Sequence, residues 1–326
     1  MNPYLDEILT AAATAKDVRI SISALTNLVR DWAEDSFPIP DWRAPVFPQT
    51  DDDTFINFLG VGNAINFCFT SPATKKKYET EYMGAQWRGA FGMWAALARA
   101  RDEGIPVLDP DFLEHITEKE ARKIFRGNPP IPMLKERVTC LQSAGRSLKK
   151  HFGGSYAGLF RNSHFAAFHN GQGIVEQLTA HDPCWRDATL QIKTALNPRF
   201  HKRANLFVMM YDGRAMNSDG RLTPIIDSAE LTPPADYEIP KALRELGILR
   251  YDDELSQMVD RQDIIPKNSV WEQEIRAQTV AAMHSLTKIL SLVRGERITI
   301  AALDYKVWSA GRTSTLPHHL TSTIAY

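Results

Sequence analysis

Trp87-Arg88-Gly89-Ala90-Phe91-Gly92-Met93-Trp94-Ala95-Ala96-Leu97 carries its large apolar side chains at Trp87, Phe91, Trp94 and Leu97, in steps of four, three and three. That spacing puts them on one side of an α-helix, whereas a strand would alternate its faces every second residue. The stretch therefore predicts a core-facing helix, stopped by Gly104 and Pro106. Working outward, Thr117-Glu118-Lys119-Glu120 has the hydroxyl-to-carboxylate spacing of a capping box and opens a helix through Phe125. Gly127-Asn128-Pro129-Pro130 closes it, and a longer helix from about 132 to 151 runs up to Gly153-Gly154. The same punctuation predicts helices at about 172–180, 200–211, 240–247, 252–260, 269–294 and 296–310. Period-2 alternation is scarce, so strands are expected to be few and short, and 222–231 to be irregular or extended. With no internal repeat, low-complexity linker or composition shift, the expected fold is mainly α, a single helical domain over residues 1–326.

Composition narrows the function. The chain is 44% hydrophobic and 24% charged, enough to bury a sizeable core and too ordered in pattern for a disordered, collagenous or coiled-coil protein. Its 38 basic and 39 acidic side chains leave a net charge of −1, without the basic excess that displaces counterions from a nucleic-acid duplex. A pocket for one small anion is still compatible with that balance. Cys68, Cys140 and Cys184 are odd in number and far apart, which points to a reducing compartment and away from a disulfide framework or zinc ribbon. The longest apolar run, Gly89 to Ala98, is well short of the roughly 20 residues that span a bilayer. A cytoplasmic protein, not tied to a membrane, is expected.

Three segments could carry chemistry. In Thr232-Pro233-Pro234-Ala235-Asp236-Tyr237-Glu238-Ile239-Pro240 the prolines stiffen the chain on both sides of Asp236. Asp236 either caps the helix that follows or is a reactive carboxylate kept in fixed geometry. In Ala301-Ala302-Leu303-Asp304-Tyr305-Lys306-Val307-Trp308, Asp304 is either a surface acid or a partly desolvated one, suited to donating a proton or gripping a ligand. Phe200-His201-Lys202-Arg203-Ala204-Asn205 sets positive charge at the start of an apolar helix, against the macrodipole, which a bound anion or a nearby acid would explain. Glu272 and Arg276, four apart at the start of the longest helix, are expected to pair. His164 and His169 are poorly spaced for a metal, and the sequence contains no H-E-x-x-H, P-loop, G-x-S-x-G or dinucleotide fingerprint. Metal-independent carboxylate chemistry without a cofactor is the expectation that follows.

Taken in order, several segments resemble the queuosine salvage family of queuosine 5′-phosphate N-glycosylases. They are Asn66-Phe67-Cys68-Phe69, Tyr82 through Trp94 leading into Asp102-Glu103-Gly104-Ile105-Pro106, Phe152-Gly153-Gly154-Ser155, and His201-Lys202-Arg203-Ala204. Ala235-Asp236-Tyr237 with Pro240, Glu272-x-Glu274-Ile275-Arg276, Leu303-Asp304-Tyr305 with Trp308, and Pro317-His318-His319 to Tyr326 complete the set, which covers the chain from about residue 55 onward. The resemblance implies a fold like that of the helix-hairpin-helix DNA glycosylases, acting on a free nucleotide. It also implies hydrolysis of the bond between a 7-deazaguanine-type base and ribose 5′-phosphate, releasing queuine. By residue match Asp236 takes the catalytic position, and Asp304 and Tyr305 take base-binding ones. Phe67, Phe69, Tyr305 and Trp308 are candidates to stack on the base, and Lys202 and Arg203 to hold the phosphate.

Three stretches depart from the family pattern. Pro234 stands where a phenylalanine is common before Ala-Asp-Tyr, Ser309 stands where some members have an acid, and Trp42-Arg43-Ala44-Pro45-Val46-Phe47 lacks a base-contacting histidine. Pro234, Ala235 and Ser309 thus join the expected base pocket. The departures leave Asp236 in place, and make a different modified base, or a non-catalytic nucleotide-binding relative, the alternatives to queuosine 5′-phosphate hydrolysis. The expected partner is a small nucleotide, with no stable nucleic-acid or membrane contact.

Overall fold

The computed structural model describes residues 2–188 and 198–326, and it is mainly helical. The chain divides into two compact units interleaved in sequence. The first takes Met1–Pro40, Asp187–Asn205 and Ser228–Ser322, and the second Asp41–Arg186, Leu206–Asp227 and Thr323–Tyr326.

In the first unit the spine is the helix Val270–Arg294, opened by the Ser269 hydroxyl, which accepts from Glu272 N at 3.2 Å, and closed by Gly295 in the left-handed conformation. Its Ile275, Ala282, Met283, Leu286 and Leu290 share a core with Ile239 and Leu243 of helix Glu238–Glu245 and with Leu303 and Val307 of helix Ile300–Thr313. Each large side chain so buried contributes about 1.5–3 kcal/mol before entropy is counted. Helices Leu5–Ala13, Ile22–Asp31 and Asp253–Asp260 surround the spine, and strand Val18–Ile20 pairs antiparallel with Leu249–Tyr251. Gly311 lets two of these helices close together. A Cβ there would stand 2.9 Å from the Cβ of Ala242 and 3.2 Å from the carbonyl oxygen of Glu238.

The second unit contains the segment on which the helical reading rests, and it corrects that reading at one end. The helix is Gly89–Asp102, and Trp87 belongs to strand Ala85–Arg88, paired with Glu79–Tyr82. Met83 and Gly84, both at positive φ, make the two-residue turn of this hairpin. Gly89, at φ +59, breaks the chain direction before the helix begins. The Trp87 ring still stacks near Phe91, at 6.2 Å between centroids, so the apolar stripe is real although its first member is not helical. The capping box at Thr117 forms with both reciprocal hydrogen bonds, and helix Leu134–His151 gives way to Gly153 and Gly154 at positive φ.

The remaining expected helices appear with ends shifted by a few residues, as Ile174–His181, Lys202–Met216, Glu238–Glu245, Asp253–Asp260, Val270–Arg294 and Ile300–Thr313. Residues 222–231 are irregular apart from a 3₁₀ turn at Ser228–Glu230. The structure adds helices Leu5–Ala13, Ile22–Asp31 and Asp53–Ala64, of which the second and third open on Ser21 and Asp52, N-caps of the kind that mark such starts.

Candidate active site

Asp236 caps the helix that follows it and turns its second oxygen toward a cation. One oxygen, Oδ1, accepts from the backbone N–H groups of Glu238 at 2.8 Å and Ile239 at 3.1 Å, at the start of helix Glu238–Glu245. The other, Oδ2, lies 3.6 Å from the ammonium of Lys202. The backbone donors fix the plane of the carboxylate, so the second oxygen has one direction in which to act. Its side chain keeps 17% of its surface, whereas that of Lys202 keeps 4%. Burial pulls the Lys202 ammonium below the ordinary lysine range, and Asp236 opposes that pull. The cation at this helix start therefore has a nearby acid, one of the two explanations its position required.

Asp304 is the third member of the cluster. It sits one turn into helix Ile300–Thr313, whose N-cap Thr299 accepts from Ala302 N, and its neighbours Leu303 and Val307 are buried. The residue retains some exposed surface, but its Oδ1 atom is buried and has no hydrogen-bond partner among the described residues. Burial, and then the negative charge of Asp236, raise the Asp304 carboxyl well above the usual carboxylate range, with Lys202 opposing. Two carboxyl groups thus stand in unlike surroundings, Asp236 with a lysine beside it and Asp304 with burial and a like charge that favour its neutral form.

The other expected residues are placed as follows. Tyr305 and Trp308, both partly exposed, stack at 6.1 Å with 25° between their planes, and Ser309 follows them on the same helix, also partly exposed. Pro234 and Ala235 are buried immediately before Asp236. Arg203 is buried. Phe67 belongs to the second unit, where it is fully buried with the Arg137 guanidinium 4.4 Å over its ring, and Phe69 lies under the same guanidinium at 5.0 Å. Arg276, expected to pair with Glu272, closes its guanidinium fork on Asp187.

Sequence reasoning gave no role to His318, whose ring lies 4.4 Å from that of Tyr237, the neighbour of Asp236. Its Nδ1 faces the carbonyl oxygen of His319 at 2.7 Å, so Nδ1 is the donor. The segment Pro317-His318-His319 stood out only as a matched motif, since nothing local in it announces a contact with Tyr237. Among the described residues no group of three or more His, Cys, Asp or Glu side chains is arranged to hold a metal ion, and no helix is long and apolar enough to cross a membrane.

The fold and the cluster define a mainly helical protein that gathers two aspartates and a buried lysine in one place. The chain belongs to the queuosine salvage protein family, whose model matches residues 46–326. It is 32% identical over 315 residues to a protein of Sphaerobacter thermophilus named queuosine 5′-phosphate N-glycosylase/hydrolase, covering 96% of this chain and 94% of that one. Proteins of the same name from Bos taurus and Schizosaccharomyces pombe are 27% and 24% identical, over 98% and 96% of this chain and 91% and 92% of theirs.

Proposed function

We propose that this chain hydrolyses the N-glycosidic bond of queuosine 5′-phosphate and releases queuine for salvage. The observation that carries the reading is geometric: Asp236 is oriented by two backbone donors with the Lys202 ammonium 3.6 Å from its other oxygen, and Asp304 stands by with a buried, unpartnered carboxyl oxygen. The family membership and the shared name of relatives that span nearly the whole chain support it.

Breaking the bond leaves positive, oxocarbenium-like charge on the anomeric carbon. A carboxylate whose orientation is already fixed stabilises that charge without having to reorganise, and Asp236 takes this role. Water supplies the hydroxyl that ends on the ribose carbon and the proton that ends on the base. A 7-deazapurine has carbon where a purine has N7, so protonation at that atom cannot improve the leaving group. Recognition then falls to the remaining polar edge of the base, where Asp304, as a neutral carboxyl, donates a hydrogen bond that a carboxylate could not. Tyr305 and Trp308 offer an aromatic surface for the ring, with Pro234, Ala235 and Ser309 shaping its surroundings. Lys202 steadies Asp236 and is the candidate cation for a phosphate oxygen.

In this reading the helical fold is of the helix-hairpin-helix DNA glycosylase kind, residues 1–326 act as one catalytic domain, and the enzyme is cytoplasmic. Its partner is a free nucleotide rather than DNA, in keeping with a net charge of −1. The test is incubation with queuosine 5′-phosphate and a panel of ordinary and modified nucleotides, with free base followed by mass spectrometry. Release of queuine supports the reading. Release of another base alone moves the assignment to a different modified nucleotide, as the departures at Pro234 and Ser309 would allow, and no release from any nucleotide ends it.

A further inference from the structure

Lys202 and Asp236 come from separate segments, so a 3.6 Å pairing between them requires something to join the helix start that carries one to the proline-stiffened loop that carries the other. Arg276 and Asp187 make one such join. Asp187 and Arg276 are both almost completely buried and meet through two parallel hydrogen bonds, Nη1 to Oδ1 at 2.8 Å and Nη2 to Oδ2 at 2.6 Å. The Nε of Arg276 also donates, at 3.2 Å, to the carbonyl oxygen of Ala235, the residue next to Asp236. On the other side, Asp187 Oδ2 accepts the backbone N–H of Lys202 itself at 3.0 Å, and the Asp187 carbonyl accepts from Phe200 N at 2.9 Å. Burial opposes ionisation of Asp187, but the Arg276 guanidinium and the Lys202 N–H outweigh it and hold the carboxyl below its usual range. The Arg276 guanidinium also stands over the Phe200 ring, 4.0 Å from its centre, a cation–π contact that adds to the restraint on the fork.

Asn205 makes a second join one turn along the same helix. Its Oδ1 accepts from Thr232 N at 3.0 Å, at the head of the loop, while its Nδ2 donates to the His201 carbonyl at 3.0 Å. The loop that presents Asp236 is thus tied to the helix start that presents Lys202 at both of its ends, near Thr232 and at Ala235.

We propose that Asp187, Arg276 and Asn205 are positioning residues, which set the separation and facing of Lys202 and Asp236 without touching substrate. The proposal rests on the reading of Asp236 and Lys202 as the working pair. A lysine at 276 keeps the charge but gathers its three donors on one nitrogen, so it cannot reproduce the two parallel hydrogen bonds to Asp187 and the separate Nε bond to the Ala235 carbonyl that the planar fork makes. The measurement is steady-state release of queuine from queuosine 5′-phosphate by wild type, Arg276→Lys and Asn205→Ser, each checked for folding by thermal unfolding, with crystal structures of both variants. In whichever variant folds, kcat should fall about tenfold or more while KM stays within about threefold, since small displacements of a reacting group act on the chemical step. The structures should show the Lys202–Asp236 separation grown beyond the reach of an ion pair, about 4 Å. A folded variant with wild-type kcat, or with raised KM and unchanged kcat, overturns the proposal. An unchanged Lys202–Asp236 pair in the variant structures overturns it too, whatever the activity. Failure of wild type to release any base instead counts against the assigned reaction, and the structures then decide the positioning question alone.

Discussion

The Lys202 ammonium stands 3.6 Å from Oδ2 of Asp236, and the opposite oxygen of the same carboxylate accepts two backbone N–H groups at 2.8 and 3.1 Å. A single side chain is therefore both the end of a helix and half of an ion pair. The structural role of the cap and the chemical role proposed for Asp236 are therefore compatible, because the cap gives the carboxylate a fixed orientation.

Asp304 has a cost in stability that follows from its protonation. In the unfolded chain an aspartate ionises near its ordinary value of 3.8, whereas burial and Asp236 raise the folded value well above it. The folded state then binds a proton that the unfolded state has lost, so stability falls as pH rises from about 4 toward the folded value, by about 1.4 kcal/mol per pH unit at most. Asp304→Asn is neutral at every pH and should raise Tm at pH 7 relative to wild type, with the gap closing toward pH 4. Thermal unfolding of both proteins across this range checks it, and a gap independent of pH would contradict the protonation assigned to Asp304. Asp304→Ala, lacking any donor, should lower kcat/KM by about 10- to 100-fold, the loss of about 1.5–3 kcal/mol in a hydrogen bond.

His201 makes the same unit sensitive to acid. The Asp187 N–H donates to its Nδ1 at 3.3 Å, so that nitrogen carries no hydrogen. Burial pulls the imidazole down to about 4, with the charge of Asp187 opposing. The folded value lies below the ordinary 6.5, so the neutral ring contributes stability that is present above 6.5 and lost as pH falls through the window toward about 4. His201→Asn keeps an acceptor without a proton to gain, and its unfolding free energy should fall less steeply over that window. Equal slopes from denaturant unfolding at successive pH values would contradict this.

Gly311 has no room for a side chain. Alanine there meets Ala242 at 2.9 Å, so Gly311→Ala should destabilise the protein by about 1–3 kcal/mol, the usual cost of overpacking. The two helices it separates carry Asp304 and follow Asp236, and kcat should fall in a variant that remains folded. Unaltered Tm and turnover would show that the contact relaxes freely.

Much of this arrangement is legible in the sequence where the signal is local. The capping box at Thr117 and the glycine stops at Gly104 and Gly153 locate helices because the residues that make each boundary are adjacent. Asp236, Asp304 and Lys202 can be singled out since prolines, aromatics and an unfavourable charge at a helix start are features of short segments. Trp87 misleads because the same apolar spacing serves a strand residue followed by a turn at Gly89. Asp187 and Asn205 leave no local signal at all. Their importance lies in contacts with Arg276 and Thr232, partners that only the folded chain brings near. The pairing of Arg276 shows the same limit, since spacing favours Glu272 and the fold supplies Asp187.

Asp236→Asn tests the central claim most directly. Asparagine retains an oxygen to accept from Glu238 and Ile239, so the helix cap and fold persist while the negative charge beside Lys202 is removed. Single-turnover release of queuine from queuosine 5′-phosphate should drop by on the order of 10³-fold or more, with the nucleotide still bound at close to wild-type affinity. Turnover within a few fold of wild type, in a variant that folds and binds, would contradict the role given to Asp236.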